Sequence, residues 1–496
     1  MFDVSFLKGE TWGFTNAPVE HVETHAAHVF LVGDRAFKIK KPVKLPYLDF
    51  SDRDKRREVL SKELAINSLH APDLYLKLDE VLGEPVLVMR RFPGHSLLSW
   101  KMAHGEVDGR LAAKLAAMAA AAHSKAPRRD TPGAEIMMGL GAQLSQAFID
   151  SPDIFAPAET LEFHALFEAA LRANKALLNA RGEMGLVRRC HGDMHSGNII
   201  VEQDTPKLFD AIEFSEKIAT IDVLYDLAFL IMDFWTHGER QAANIILNRY
   251  LHIRRAEEDP SGLAALPLFL STRAGVRALV TADLAHDLAV RNSMQARGHA
   301  LDWFRASLAY LKPPPPALVC IGGFSGTGKS TLATALSPAL GAAPGAVHVR
   351  SDIERKVLAG VAETERLPAE GYTRAASFAV YAACFEIAKR ALAAGHSVVL
   401  DAVFAEESER RSAAELARRR RAHFAGIWLD APADMLMARV ASRRGDASDA
   451  TPLVVERQVR YDLGTLDWQR VDASGTPAET LARVREMLPS RAAVRA

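Results

Sequence analysis

Only three cysteines, Cys190, Cys320 and Cys384, occur in the 496-residue chain, and none stands in a C-x-x-C pair. Their scarcity excludes a disulfide framework and a zinc knuckle and fits a reducing cytoplasm. An excess of either charge is missing too, since Lys plus Arg and Asp plus Glu both number 61. The composition therefore gives no sign of a nucleic-acid or acidic-membrane partner, while small polar or anionic molecules stay open as partners. Residues 1–10 show no basic segment followed by an apolar one, and the most apolar stretch, 221–235, is broken by Asp222, Asp226 and Asp233. Secretion and membrane spanning are both disfavoured. Internal repeats are lacking as well.

About half of the residues (49%) are hydrophobic, enough for large cores, and the length predicts more than one domain. Pro313-Pro314-Pro315-Pro316 is a stiff spacer that neither a helix nor a central strand can pass through. It divides the chain into 1–312 and 313–496, each long enough to form its own core. In the first part, 29–32 and 36–40 flank the turn Gly33-Asp34, Ser51 offers an N-cap for a charged helix to about Leu69, and 74–81 and 86–90 form a second hairpin around Gly83. From Glu106 to Leu311 the periodicity is mostly helical, interrupted by loop and short strands at 191–210. That is the layout of a two-lobed α+β domain. After the proline run, strand and helix alternate, which predicts a parallel α/β sheet with right-handed crossovers.

Two constellations suited to ATP phosphates stand in these parts. The first is His191-Gly192-Asp193-Met194-His195-Ser196-Gly197-Asn198, followed by Phe209-Asp210. Phosphoryl transfer needs a carboxylate near the attacking hydroxyl, oxygen ligands for magnesium and a cation on the nonreacting phosphates. Asp193 and Asn198 have the separation of the catalytic Asp and metal-binding Asn in the protein-kinase catalytic loop. Asp210, ending a short strand, stands where a second magnesium ligand belongs. With Asp226-Leu227-Ala228 further on, the pattern H-G-D-x-H-x-x-N…F-D resembles the aminoglycoside phosphotransferase family of kinase-like enzymes over roughly residues 20–311. The resemblance implies a protein-kinase-like bilobal fold, Asp193 as catalytic base, Asn198 and Asp210 as magnesium ligands, and Asp226 as a brace for the loop. It places the phosphate lysine on the second strand, at Lys38 with Lys40 as the rival, and gives it Glu58 on the following helix as partner, with Glu63 as the alternative. G-x-G-x-x-G is absent before that strand; the corresponding turn is around His25-Ala26-Ala27-His28. His195 reads as loop support.

The second constellation is Gly323-Phe324-Ser325-Gly326-Thr327-Gly328-Lys329-Ser330, between an apolar strand and a helix. This P-loop pattern lets Ser325, Gly326, Thr327, Gly328 and Thr331 surround the phosphates, with Lys329 reaching them and Ser330 ligating magnesium. Asp352 and Arg355 lie three apart on the following helix, and this D-x-x-R resembles the substrate-side motif of small P-loop kinases related to polynucleotide kinase, zeta toxins and gluconate kinase. The resemblance implies Asp352 as base and Arg355 as substrate holder, with Arg439, Arg443 or Arg444 as the lid arginine. Asp401, ending strand 398–400, could serve magnesium through water. The run from Arg418 to Arg421 wraps around its helix and reads as a solvated face.

The expectation is a cytoplasmic, bifunctional ATP- and Mg2+-dependent phosphotransferase acting on hydroxyl groups of small molecules, with the acceptor and the oligomeric state open. Two other readings are an ATP-binding regulatory N-terminal module and a polynucleotide-end kinase in the C-terminal one.

Overall fold

The computed structural model describes residues 4–488 except 25, 46–47, 257, 259, 287–292 and 443–446. His25, Arg443 and Arg444, named above, lie outside the described residues. The chain divides into two compact units, Met1–Gly139 with Lys175–Ala242 and Leu140–Asn174 with Ala243–Ala496. Compactness thus breaks the chain elsewhere than at the prolines, and the modules 1–312 and 313–496 stay a proposal about family boundaries.

The first unit opens with an antiparallel sheet in the order Val19–Glu23, Ala27–Val32, Arg35–Lys40, Glu84–Arg90, Tyr75–Val81. Both expected hairpins are present, the first turning at Gly33, whose φ of 56° suits glycine. In strand Arg35–Lys40 the residues from Ala36 to Lys40 are all buried. Alternation sends Phe37 and Ile39 into an aromatic cluster with Phe6, Trp12 and Phe30, while Ala36 joins Leu60 and Leu87 on the other face. Lys38 and Lys40 therefore project to the helix side. The helix is Arg53–Asn67, and its buried residues Arg56, Leu60, Glu63 and Asn67 follow the helical period. Its cap is Asp52, which accepts from the Asp54 and Lys55 amides at 2.7 and 3.4 Å; Ser51, expected in that role, instead bonds Asp49.

Strand Val187–Arg189 leads into the loop carrying His191 and Asp193, and hairpin Ile199–Glu202 with Thr205–Leu208 delivers Asp210. Helix Val223–Thr236 runs beneath, buried from Val223 to Phe234. Arg181, itself buried, grips Asp222 through Nε and Nη2 at 2.7 and 2.8 Å, and Asp222 caps this helix through the Leu224 amide.

The second unit holds a five-stranded parallel sheet in the order Val347–Arg350, Val398–Asp401, Ala317–Gly323, His423–Asp430, Gln469–Asp472. The fold class expected from the sequence holds: mixed α/β, with the parallel sheet C-terminal. Strand Ala317–Gly323 is central and wholly buried, so the P-loop leaves the sheet at its middle. Segment Pro260–His286 is long and apolar enough to cross a membrane, but 67% of its apolar window is buried within the protein, as in a core helix.

Arg181→Met should lower the unfolding free energy by about 3–5 kcal/mol, because it strands a buried carboxylate without its cation. Urea denaturation of the full chain measures this, and a loss under about 1 kcal/mol contradicts the assigned role of the pair.

Candidate functional site

In the first unit two lysines and three acids form one cluster of ion pairs. Lys38 Nζ lies 2.6 Å from Glu63 Oε1 and 2.6 Å from Asp210 Oδ1. Lys40 Nζ lies 2.7 Å from Glu63 Oε2 and 2.6 Å from Glu213 Oε1. Glu63 is fully buried and joins both lysines, whereas Glu58 is exposed and pairs with Lys62. The partner of the lysine strand is thus Glu63 and not Glu58. The two residues are five apart, so about 140° around the helix separates them, and packing turned Glu63 inward.

Burial raises the Asp210 pKa, but Lys38 and Lys40 outweigh it and hold the carboxyl at about 2. Burial lowers that of Lys38, while Asp210 and Glu63 more than reverse this and raise it well above the ordinary value. Glu213 is raised by burial, against the pull of Lys40. Asp210 has a φ of 59°, and its amide donates to the Tyr75 hydroxyl at 2.9 Å. This left-handed residue turns the chain out of the hairpin and toward Lys38.

The loop is held from below. Asp226 is completely buried, and its oxygens accept from the Gly192 and His191 amides at 3.0 and 3.2 Å. His123 Nε2 lies 3.2 Å from the same carboxylate. His123, Cys190 and Asp226 bring their ligand-type atoms within 4.8 Å of one another, but the loop amides give this carboxylate a bracing part. Gly192 has φ 87°, and a Cβ there would come within 2.9 Å of Ile212. Asp233, seven residues beyond Asp226 on the same helix face, accepts from the Ser196 amide at 2.8 Å.

At the loop tip, Asn198 Nδ2 donates to Asp193 Oδ2 at 2.8 Å and to the Asp193 carbonyl at 3.0 Å. His195 Nδ1 accepts from the Gly197 amide at 3.0 Å, so the ring proton sits on Nε2, 3.4 Å from Asp193 Oδ2. His195 supports the loop, as expected. The Asn198 amide oriented in this way leaves its Oδ1 for a cation. Asn198 and Asp210 both offer oxygen donors, the donor type that suits magnesium.

In the second unit the P-loop glycines have the backbone their chemistry needs. Gly323, Gly326 and Gly328 have φ of 139°, 92° and 89°, and a Cβ on Gly326 would meet the Leu436 carbonyl at 2.7 Å. Lys329 Nζ donates to the Phe324 carbonyl at 3.0 Å, so the ammonium is folded onto its own loop. Thr327 is buried with its hydroxyl on the same carbonyl, and the Ser325 amide donates to Gln458 Oε1 at 2.7 Å. Thr331, on helix Lys329–Leu336, is exposed. Lys329, Ser330 and Asp352 line one small cleft together with Ser325 and Ser448. Asp401 is buried on the strand beside the P-loop strand, opposite Ile321, and accepts from His348 Nε2 at 2.8 Å. Burial raises its pKa, but His348 and Arg350 lower it on balance.

Two of the expected arginines, Arg355 and Arg439, are placed elsewhere. Arg355 donates to the Gly371 carbonyl at 2.7 Å and lies over the Tyr372 ring, and it is not among the residues lining the cleft. Arg439 donates to the carbonyls of Ala473, Ser474 and Gly475 at 2.8–3.2 Å, which makes it a cap for a C-terminal loop and not a lid arginine. What reaches over the cleft is Ser448, beside Asp449, whose Oδ2 accepts from Lys356 Nζ and the Tyr372 hydroxyl, each at 2.5 Å, and from the Leu367 amide at 3.0 Å. Glu213, Asp233 and Asp449 were not singled out as site residues from the sequence; only Asp233 carried a signal, its heptad spacing from Asp226.

Residues 26–266 match the model of the phosphotransferase enzyme family, and residues 318–461 match that of an AAA domain. The double resemblance read from the motifs holds. The uncharacterized proteins Rv2004c of Mycobacterium tuberculosis and Mb2027c of Mycobacterium bovis are each 29% identical over 475 residues, 91% of this chain and 92% of theirs. Aminoglycoside 2'-phosphotransferase-IIIa in its GDP complex is 15% identical, with 59% of this chain and 92% of that one covered at a TM-score of 0.39. A gluconokinase from Sinorhizobium meliloti 1021 is 23% identical, with 35% and 95% covered at a TM-score of 0.25. The family matches in both parts are those of phosphotransferase and P-loop proteins, and they imply use of ATP.

A depressed pKa means that the ionised form of Asp210 favours the folded state above about pH 4, an advantage lost as pH falls toward 2. In metal-free buffer, stability should therefore fall more steeply between pH 4 and pH 2 in the wild type than in Asp210→Asn. Parallel acid-denaturation curves would contradict the Lys38–Asp210 pairing.

Proposed function

We propose that this chain is an ATP-dependent phosphotransferase whose first unit transfers a phosphoryl group to a hydroxyl of a small molecule. The carrying observation is the junction of Lys38, Glu63 and Asp210, with the Asn198 carbonyl accepting from the amide of Phe209, the residue before Asp210, at 3.0 Å. Glu63 and Asp210 hold the Lys38 ammonium in place for nonreacting phosphate oxygens. Asn198 and His195 fix the Asp193 carboxylate, of which 38% is exposed, so that it can orient an acceptor hydroxyl and take its proton. Magnesium held by Asn198 and Asp210 would compensate phosphate charge during transfer. Three buried cysteines, with no disulfide among the described residues, support a cytoplasmic setting.

The second unit is proposed as a P-loop phosphotransferase in which Lys329 and Ser330 take the phosphates, Asp352 faces the acceptor and Asp401 serves magnesium through water. A second reading has this unit bind nucleotide without transferring it. That reading is favoured by Arg355 and Arg439, both of which hold backbone carbonyls in place of a substrate.

ATP consumption against pooled small metabolites tests the proposal. Asp193→Asn should lower turnover by about 10²- to 10⁴-fold while nucleotide affinity stays within about twofold. Unchanged turnover would remove Asp193 from the chemistry. Glu63→Gln should weaken nucleotide binding measurably by calorimetry and Glu58→Gln should not; the reverse ranking would contradict the ion-pair cluster. Lys329→Ala should reduce the activity of the second unit by about 10²- to 10³-fold, and Asp352→Asn should abolish that activity while sparing nucleotide binding; ATP consumption that neither substitution changes favours the second reading.

A further inference from the structure

The second unit contains a cavity of about 490 Å³ that shares no lining residue with the phosphate cleft. Helix Ser351–Leu358 separates the two: Ser351 and Asp352 face the cleft, and Ile353, Glu354 and Leu358 face the cavity. The opposite wall is helix Arg240–Ile253, fixed to the edge strand by Asn248. Its Oδ1 accepts from the His348 amide at 2.8 Å, and its Nδ2 donates to the Ala346 carbonyl at 3.2 Å. The cavity is thus built from a braced wall and not from a loose gap.

Its size lies within the range of about 300–1,000 Å³ common to small-molecule sites. Ile245, Leu251, Val349, Ile353 and Ile387 give the cavity an apolar lining.

At the end of the cavity lined by Arg249 and Arg255, the guanidinium groups have more N–H donors than their carboxylate partners take. Arg255 meets both oxygens of the buried Glu354 at 3.2 and 2.7 Å, and both oxygens of Glu386 are taken by Lys389 and Arg390. One oxygen of Glu363 meets both the Arg249 guanidinium and the His252 ring. A guanidinium has five N–H donors, and Arg249 directs one nitrogen to Glu363 while Arg255 directs two to Glu354. Such a lining suits a ligand that accepts hydrogen bonds at one end and is apolar at the other.

We propose that this cavity is a binding site for a small organic anion with an apolar body, seated on Ile353 with its charged end at Arg249 and Arg255. The site is separate from phosphoryl transfer and stands whether or not the second unit transfers phosphate.

Fluorescence titration of the full chain with anilinonaphthalene sulfonate, which has both features, tests it. A saturable component is expected that Ile353→Trp removes by filling the cavity. Arg249→Gln should weaken it by about tenfold, the order of one charge-assisted hydrogen bond. Uncharged phenylnaphthylamine should bind about tenfold more weakly than the sulfonate. Thermal melts establish that each variant is folded, and Ile353→Trp decides the matter if Arg249→Gln is not. The proposal is overturned if no saturable component exists, if folded Ile353→Trp retains it, if folded Arg249→Gln binds as well as the wild type, or if the uncharged probe binds equally.

Discussion

A buried carboxylate between two buried ammonium groups organises the first unit. Glu63 has no exposed surface, and each of its oxygens faces a different lysine of the same strand. An ion so placed is tolerable only with its partners in position, which fixes the rotation of helix Arg53–Asn67 against the sheet and the tilt of strand Arg35–Lys40. The same lysines then reach Asp210 and Glu213 and draw in the hairpin that follows the catalytic-type loop. Strand, helix and loop are tied by charge at one point, and that point is where a nucleotide's phosphates would be received.

The loop itself depends on a different device. Helix Val223–Thr236 presents Asp226 and Asp233 to the backbone amides of His191, Gly192 and Ser196. Carboxylates that accept backbone N–H bonds make short, charge-assisted contacts, so they hold the loop's main chain and leave the Asp193 side chain at the tip. Bracing thereby falls to Asp226 and Asp233, aspartates separate from Asp193, to which the proposed chemistry belongs.

In the second unit the sheet supplies the order. The P-loop leaves a central strand, Asp401 ends the strand beside it, and Asp352 opens the helix after the edge strand. Around this the side chains form two layers. Arg355, Lys356 and Asp449 clasp the segment near Tyr372 over the cleft, while Ile353 and Glu354, on another face of the same helix, turn to the larger cavity.

Sequence alone determined the short-range parts. His191 to Asn198 and Gly323 to Ser330 are legible because their function rests on backbone turns and spacings closed within eight residues, and the glycines required by positive φ mark them. The hairpins and the strand-helix alternation of the C-terminal part are legible for the same reason, since turn chemistry and hydrophobic period are local. Tertiary structure alone decided which long side chain meets which. Glu58 and Glu63 are both acids on one helix, and only packing selects the inward one; Arg355 and Arg439 have the spacing of substrate-side residues, yet the nearest carbonyls took them. The Lys40–Glu213 pair, 173 residues apart, and the Arg255–Glu354 pair, 99 apart, have no local pattern at all. A flexible charged side chain several ångströms long is committed by the partners the fold brings within reach, and no spacing in the chain records that choice.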